Sequence, residues 1–144
     1  MALEWAVDPG ENGAYEFVVE AGPTAVGPGP DGTEGPEAPR VVDWAPALDA
    51  LLTDLAAGSP PGAAAARFHN GLAAAVLEVA EAVGEPRVAL TGGVFQNRVL
   101  TERTADALTG AGMRPLLHRR VPANDGGLSL GQVAVAAAQP GEAP

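Results

Sequence analysis

The sequence contains no cysteine. A disulfide framework, a thiolate zinc site and a thiol nucleophile are therefore excluded. Lysine is absent too, so all eight basic residues are arginines. Aromatic residues are scarce, at 4% against 47% hydrophobic residues overall, which leaves alanine, valine and leucine to build any core. Long apolar runs are also missing: the alanine-rich stretches are broken by charge well before the roughly 20 residues that a membrane span requires. The opening Met1-Ala2-Leu3-Glu4-Trp5 has neither the basic nor the apolar region of a signal peptide. A soluble cytoplasmic chain with no membrane partner is expected.

What is present is unevenly distributed. The formal charge of −10 comes from the front of the chain, where residues 1–60 hold eleven acidic side chains against the single Arg40. Residues 61–144 hold seven acids and seven arginines and so balance. No basic face exists for DNA or RNA, and the acidic front reads as a solvated surface. At 144 residues the length allows one domain by default.

Local grammar divides the chain. Residues 1–7 read as the tail of a helix stopped by Pro9-Gly10, and Tyr15–Glu20 as a short strand. Residues 21–39 repeat Gly, Pro and acids with almost no bulky apolar group, so a flexible loop is expected. Arg40-Val41-Val42 would close a hairpin around it. These parts form an expected 1–42 segment.

Helical signals follow. Asp43 is the expected N-cap of a helix with Trp44, Leu48, Leu51, Leu52 and Leu55 at helical spacing, ending at Gly58. A longer helix runs from Ser59-Pro60-Pro61 to Val83, with Phe68, Leu72, Val76, Leu77 and Val83 as its apolar positions and Gly84 as its stop. Then the pattern becomes α/β. A strand at Arg87–Thr91 meets Gly92-Gly93, a helix spans Phe95 to Leu108, and a second strand covers Arg114–Arg119. Asn124-Asp125-Gly126-Gly127 leads into a last helix, Leu128–Ala138. Strand, helix, strand, helix with short links predicts two parallel strands. Residues 43–138 would form the α/β part, and 139–144 a disordered tail.

Both Gly-Gly pairs follow the carboxyl end of a strand, the edge where α/β sheets bind ligands. Glycine there lets a ligand approach the backbone, and the next helix offers free N–H groups to an anion. Spacing alone leaves each pair equally readable as a turn, since neither is a Walker loop or a GxGxxG fingerprint. Asp125 reads either as an Asx-type turn or cap or as a carboxylate ligand to a cation beside phosphate oxygens. His69 reads as a polar packing residue within its helix, and His118 as a surface residue at a strand end. No Ser/His/Asp set can be assembled.

At these same residues the sequence resembles a known family. Leu90-Thr91-Gly92-Gly93-Val94-Phe95-Gln96-Asn97-Arg98 is similar to the Leu-Ser-Gly-Gly-Val-Phe-Gln-Asn segment of HypF-type hydrogenase-maturation carbamoyltransferases. Leu117 through Gln132 matches that family's closing signature, Ala66-Arg67-Phe68-His69-Asn70 and Leu72-Ala73 agree with it, and Ala2-Leu3-Glu4 resembles its helix before a variable insert. Residues 8–42 match only loosely, and Thr91 stands where serine is more usual. The resemblance implies the C-terminal half of an actin/Hsp70/sugar-kinase-like (ASKHA) domain, related to TsaD-type enzymes, with a small parallel sheet, packed helices and an N-terminal helix and hairpin insert. It implies chemistry in which carbamoyl phosphate and ATP yield a carbamoyl-adenylate, whose carbamoyl group passes to the C-terminal cysteine of a HypE-type acceptor protein. Under it Gly92, Gly93, Asn97, Gly126 and Gly127 would bind the nucleotide. Asp125 would be one of three ligands to a divalent metal (Fe, Zn or Mg), and His69 and Asn70 would have a part in the cleft.

The family's cysteine zinc motifs and the paired His-x-x-x-His ligands of its transfer domain are absent from this sequence. The chain is therefore expected to be a truncated reading frame, a cut piece or a split subunit that needs the N-terminal half of the domain, and to be inactive alone. Two other expectations compete: an O-carbamoyltransferase of small-molecule biosynthesis, and a non-catalytic folded remnant.

Overall fold

A computed structural model describes residues 2–22 and 39–138. The expected flexible loop, apart from its two ends, and the expected disordered tail lie outside the described residues. The chain divides into two compact units, Met1–Glu85 and Pro86–Pro144. This division comes later than the expected boundary after residue 42, because the hairpin packs on the helices that follow it.

In the first unit, α1 (Ala2–Trp5) is followed by β1 (Val18–Ala21) and β2 (Arg40–Asp43), which pair antiparallel with Val18 opposite Asp43. The strands are edge-length, so their stability must come from what they pack on. Tyr15 and Phe17 lead into β1 and are buried with Ala47 and Ala75, and Val19, Leu51, Phe68 and Leu72 close around them. The Phe17 and Phe68 rings meet edge to face at 5.7 Å.

Helix α2 (Ala45–Ala56) starts later than expected. Asp43 is not its N-cap: it sits one residue earlier and its carboxylate accepts the Ala45 N–H at 2.9 Å. Gly58 breaks the chain beyond the helix with φ +80°. Of the residues at helical spacing, Trp44, Leu48, Leu52 and Leu55 are exposed and Leu51 packs against the core, while Ala47 is the buried residue of α2.

Helix α3 (Pro61–Val83) has the expected ends, with Gly84 left-handed at its C-cap. Its core face is built mostly from alanine, in line with the scarcity of aromatic residues. Ala64, Ala65, Ala66, Ala73, Ala75 and Ala80 are buried, while Val83 is exposed. Small side chains bring neighbouring backbone close, as Gly71 shows: a Cβ there would collide with the Tyr15 carbonyl oxygen and press on the Phe17 ring. Large residues at helical spacing therefore sit at the edge of this contact.

The second unit is the expected βαβα run. Strands β3 (Arg87–Leu90) and β4 (Arg114–Leu117) are parallel, with Leu90 opposite Leu117. Between them a 3-10 turn at Gly93–Gln96 precedes α4 (Arg98–Gly110). The helix thus starts three residues beyond the expected Phe95, because the tighter turn comes first. Its inner face is Leu100, Thr104 and Leu108. After β4 a 3-10 turn at Asp125–Gly127 opens α5 (Leu128–Ala138). Among the described residues no helix is long and apolar enough to cross a membrane.

Candidate functional site

The parallel pairing puts the carboxyl ends of β3 and β4 on the same rim. Gly92-Gly93 follows the end of β3 after Thr91 alone, whereas Asn124–Gly127 follows β4 after the intervening residues 118–123. One hydrogen bond ties these two bends together, the Gly92 N–H donating to the Ala123 carbonyl at 2.7 Å. The Thr91 hydroxyl approaches the same oxygen at 3.4 Å. The two Gly-Gly segments are therefore neighbours.

Each bend is organised by an asparagine. The Asn97 side-chain oxygen accepts the Leu100 N–H at 2.9 Å and caps α4. The Asn97 carbonyl also accepts the Thr101 hydroxyl at 2.9 Å. Its structural role is to shape the first loop. In the second bend the Asn124 side chain accepts the Gly126 N–H at 3.0 Å, and its carbonyl accepts the Gly127 N–H at 3.0 Å. The Asx turn expected of Asp125 is thus made by Asn124. Sequence reasoning missed this, although an asparagine two residues before a glycine is the usual signal. Asp125 itself is exposed, at the first position of its 3-10 turn.

The four glycines have different reasons to be glycine. Gly92 has φ +102° and ψ 160°, a region essentially closed to other residues. At Gly126 a Cβ would lie 3.0 Å from the Asn124 side-chain oxygen, and at Gly127 2.9 Å from the Pro122 carbonyl. Gly93 differs: its φ is not positive and a Cβ would meet open space. Among the described residues nothing requires glycine there.

The amides differ likewise. Those of Gly92, Gly126 and Gly127 are used inside the chain. Gly93 and Val94 open the 3-10 turn, where the first N–H groups have no partner within the helix. An anion at this rim would meet those two, beside the open face of Gly93. The residues present fit a phosphate-bearing ligand at the first bend; the second bend supports the first. For a cation, Asp125 supplies one carboxylate, and among the described residues no three His, Cys, Asp or Glu side chains form a cluster able to hold a metal.

Two hollows open from the rim. One, of about 550 Å³, is lined by Thr91, His118, the Pro122–Asn124 loop, Gly127 and one face of α5. The other, of about 300 Å³, lies by Leu90, Phe95, Gln96, Thr101 and Val121. His118 borders both, a position its strand-end location alone did not reveal. Of the expected nucleotide residues, Gly127 is the one that lines either of these two hollows.

The remaining expected residues belong to the first unit. His69 is 2% exposed and its Nδ1 lies 2.7 Å from the Ala65 carbonyl, so it is a packing residue. Asn70 donates to the Gly13 carbonyl at 2.7 Å, holding the segment before β1. Beside it is a cluster the sequence did not disclose. Arg67 bridges Glu11 at 2.9 Å and Asp54 at 2.6 Å, and the Tyr15 hydroxyl donates to Asp54 at 2.7 Å. Burial, then the Asp54 carboxylate, pushes the Tyr15 hydroxyl up to about 12. The Gly13 N–H, then Arg67, holds Glu11 below the usual carboxylate range, and Tyr15, then Arg67, does so for Asp54.

The chain is similar to known proteins. Residues 1–132 match the family model described as carbamoyltransferase, Kae1-like domain, second subdomain. Carbamoyltransferase HypF of Synechocystis is 40% identical over 92 residues, which are 64% of this chain and 12% of that protein. Carbamoyltransferase HypF of Rhodobacter capsulatus is 46% identical over 93 residues, 62% of this chain and 12% of its own length. A crystal structure of full-length HypF in the phosphate- and nucleotide-bound form superposes with TM-score 0.76 at 29% identity, over 93% of this chain and 16% of that one. The chain thus spans about an eighth of the curated relatives just described. The match over residues 1–132, with the identities and the superposition just given, makes the chain a member of the second-subdomain family of the Kae1-like domain of HypF-type carbamoyltransferases.

Proposed function

We propose that this chain is the nucleotide-side half of an ASKHA-type domain in an ATP-dependent carbamoyltransferase. ATP phosphates approach the open face of Gly93, where the Gly93 and Val94 amides are directed by the turn. Asn97 holds the shape of that loop. Gly126 and Gly127 let the second bend fold tightly enough to support it, and Asp125 contributes one ligand to a divalent cation. A bound cation would neutralise phosphate charge there. The remaining ligands, the carbamoyl phosphate site and the docking of a HypE-type acceptor belong to parts of the relatives that this chain does not span. In the whole enzyme carbamoyl phosphate and ATP yield a carbamoyl-adenylate with release of phosphate and pyrophosphate, and its carbamoyl group passes to the acceptor's C-terminal cysteine thiol with release of AMP, towards hydrogenase maturation.

One observation carries the reading: the 2.7 Å bond from Gly92 to Ala123 sets both bends side by side, with Gly93 bare of any packing reason to be glycine. Isothermal titration of ATP, with each candidate cation, into the chain reconstituted with the preceding half of the domain tests it. Gly93→Val and Asp125→Ala are each expected to weaken binding at least ten-fold. Unchanged affinity in both would remove the site assignment.

A further inference from the structure

Thr53 and Thr109 turn their hydroxyls back along their helices. Thr53 donates to the Asp49 carbonyl at 2.8 Å and Thr109 to the Ala105 carbonyl at 2.7 Å, the bond four residues back that a helical threonine commonly makes. Thr101 makes the same bond to the Asn97 carbonyl at 2.9 Å, but its hydroxyl also reaches the Phe95 carbonyl at 3.0 Å, six residues back. In a continuous helix that second oxygen would be out of reach. The chain breaks at Asn97, whose φ of −71° and ψ of 109° are extended, between the 3-10 turn and α4. On one side of the break the turn is closed by the Phe95 N–H on the Gly92 carbonyl and the Asn97 N–H on the Val94 carbonyl. On the other, the Asn97 side chain caps Leu100. The Thr101–Phe95 bond crosses the break. Packing adds little there: Val94 is 57% exposed, Gly93 and Gln96 are exposed, and the 300 Å³ hollow opens beside Phe95, Gln96 and Thr101.

We propose that Thr101 is a positioning residue of the phosphate site: its hydroxyl clamps the 3-10 turn to α4 and so fixes the direction in which the turn presents the Gly93 and Val94 amides. The inference rests on the ATP reading and deepens it. A threonine hydroxyl has one hydrogen to donate, and here two carbonyls share it in a three-centre bond. Rotation about the Asn97 backbone would swing the turn relative to α4, and the same rotation pulls the Phe95 oxygen away from Thr101. Donors already aimed before a ligand arrives bind it without the cost of ordering them. Thr101 itself touches no phosphate in this scheme; it acts through Gly93 and Val94. Valine has the shape of threonine and nothing to donate, so Thr101→Val releases the turn without opening a cavity. Serine keeps the hydroxyl.

The test titrates ATP calorimetrically into this chain reconstituted with the preceding half of the domain, using the cation that gives the tightest wild-type binding. Thr101→Val is expected to weaken binding at least five-fold and Thr101→Ser to stay within two-fold of wild type. Thr109→Val removes an ordinary bond four residues back from the same helix and is expected to change nothing. Without nucleotide, the Gly93 and Val94 amide resonances should shift in Thr101→Val and not in Thr109→Val, while amide exchange at α4 and β4 stays alike in the two. Affinity within two-fold of wild type in Thr101→Val, with binding lost in Gly93→Val, would overturn this inference alone. An equal loss in Thr101→Ser would also overturn it, because the hydroxyl would then not be the cause. So would a loss that tracks unfolding of the second unit. If Gly93→Val leaves affinity unchanged, the phosphate reading itself falls, and Thr101 has no site to position.

Discussion

Replacing the rim glycines one at a time by alanine separates what folding needs from what a ligand needs. Gly92→Ala forces a side chain into φ +102°, ψ 160°, at a cost of about 1–3 kcal/mol. Gly127→Ala puts a Cβ 2.9 Å from the Pro122 carbonyl, so backbone must move, and over-packing of this kind costs about 1–3 kcal/mol. Gly93→Ala meets open space at an ordinary φ, and narrowing the unfolded ensemble should stabilise it by about 0.4–1 kcal/mol. The expected order of stability is Gly93→Ala, wild type, then the other two together. Urea unfolding can measure it, but the probe matters. Both tryptophans, Trp5 and Trp44, lie in Met1–Glu85, so their fluorescence is the internal control. Amide exchange at α4 and β4 reads the second unit. Destabilisation of Gly93→Ala to the level of Gly127→Ala would show that an internal contact explains Gly93, and the argument for a ligand there would fail. Retained stability with lost ATP affinity in the reconstituted domain would separate the two roles.

Thr104 is fully buried and its hydroxyl has no hydrogen-bond partner among the described residues. Thr104→Val keeps the shape and removes a desolvated polar group worth about 1–3 kcal/mol when unsatisfied, so a gain of about 1 kcal/mol in urea unfolding is expected; a loss would mean the hydroxyl is bonded. Gly71→Ala should destabilise the first unit by about 1–3 kcal/mol, because its Cβ meets the Tyr15 carbonyl; tryptophan fluorescence in urea checks this, and a neutral result would mean that α3 and the Tyr15 segment are further apart. The single tyrosine allows a direct titration by tyrosinate absorbance. Its ordinary value is 10.0, and in the folded chain Tyr15 is pushed up to about 12, so between these values the unfolded state has lost a proton that the folded state keeps. Stability should be complete below pH 10 and fall as pH rises towards 12; a midpoint near 10 in the folded protein would disprove the buried Tyr15–Asp54 bond.

Much of the secondary structure was legible because it is written locally. Gly58 and Gly84 end their helices by a left-handed turn that any reading of glycine anticipates. Val18 and Val41 lie in short β-branched runs that pair as expected. Arg87–Leu90 and Arg114–Leu117 are separated by a helix, and that spacing favours parallel pairing. Burial is where partners decide. Leu48, Leu52 and Leu55 lie at the expected helical spacing, but periodicity says only that a face exists and not what covers it: all three are exposed, and Ala47 is buried.

For the site, the sequence by itself determined which residues stand at the two strand ends, and the family that shares them. It determined that Gly92 and Gly93 follow β3, and that Asp125 lies between Asn124 and Gly126 in the second bend. Tertiary structure alone decided that the bends touch, through the Gly92 amide and the Ala123 carbonyl, 31 residues apart in the chain. It alone sorted Gly92, Gly126 and Gly127 from Gly93, because the reason for a glycine is the space around its missing Cβ. The Arg67, Glu11, Asp54 and Tyr15 cluster joins groups up to 56 residues apart. No local pattern encodes such a meeting: it is set by how α3 packs on the segment before β1.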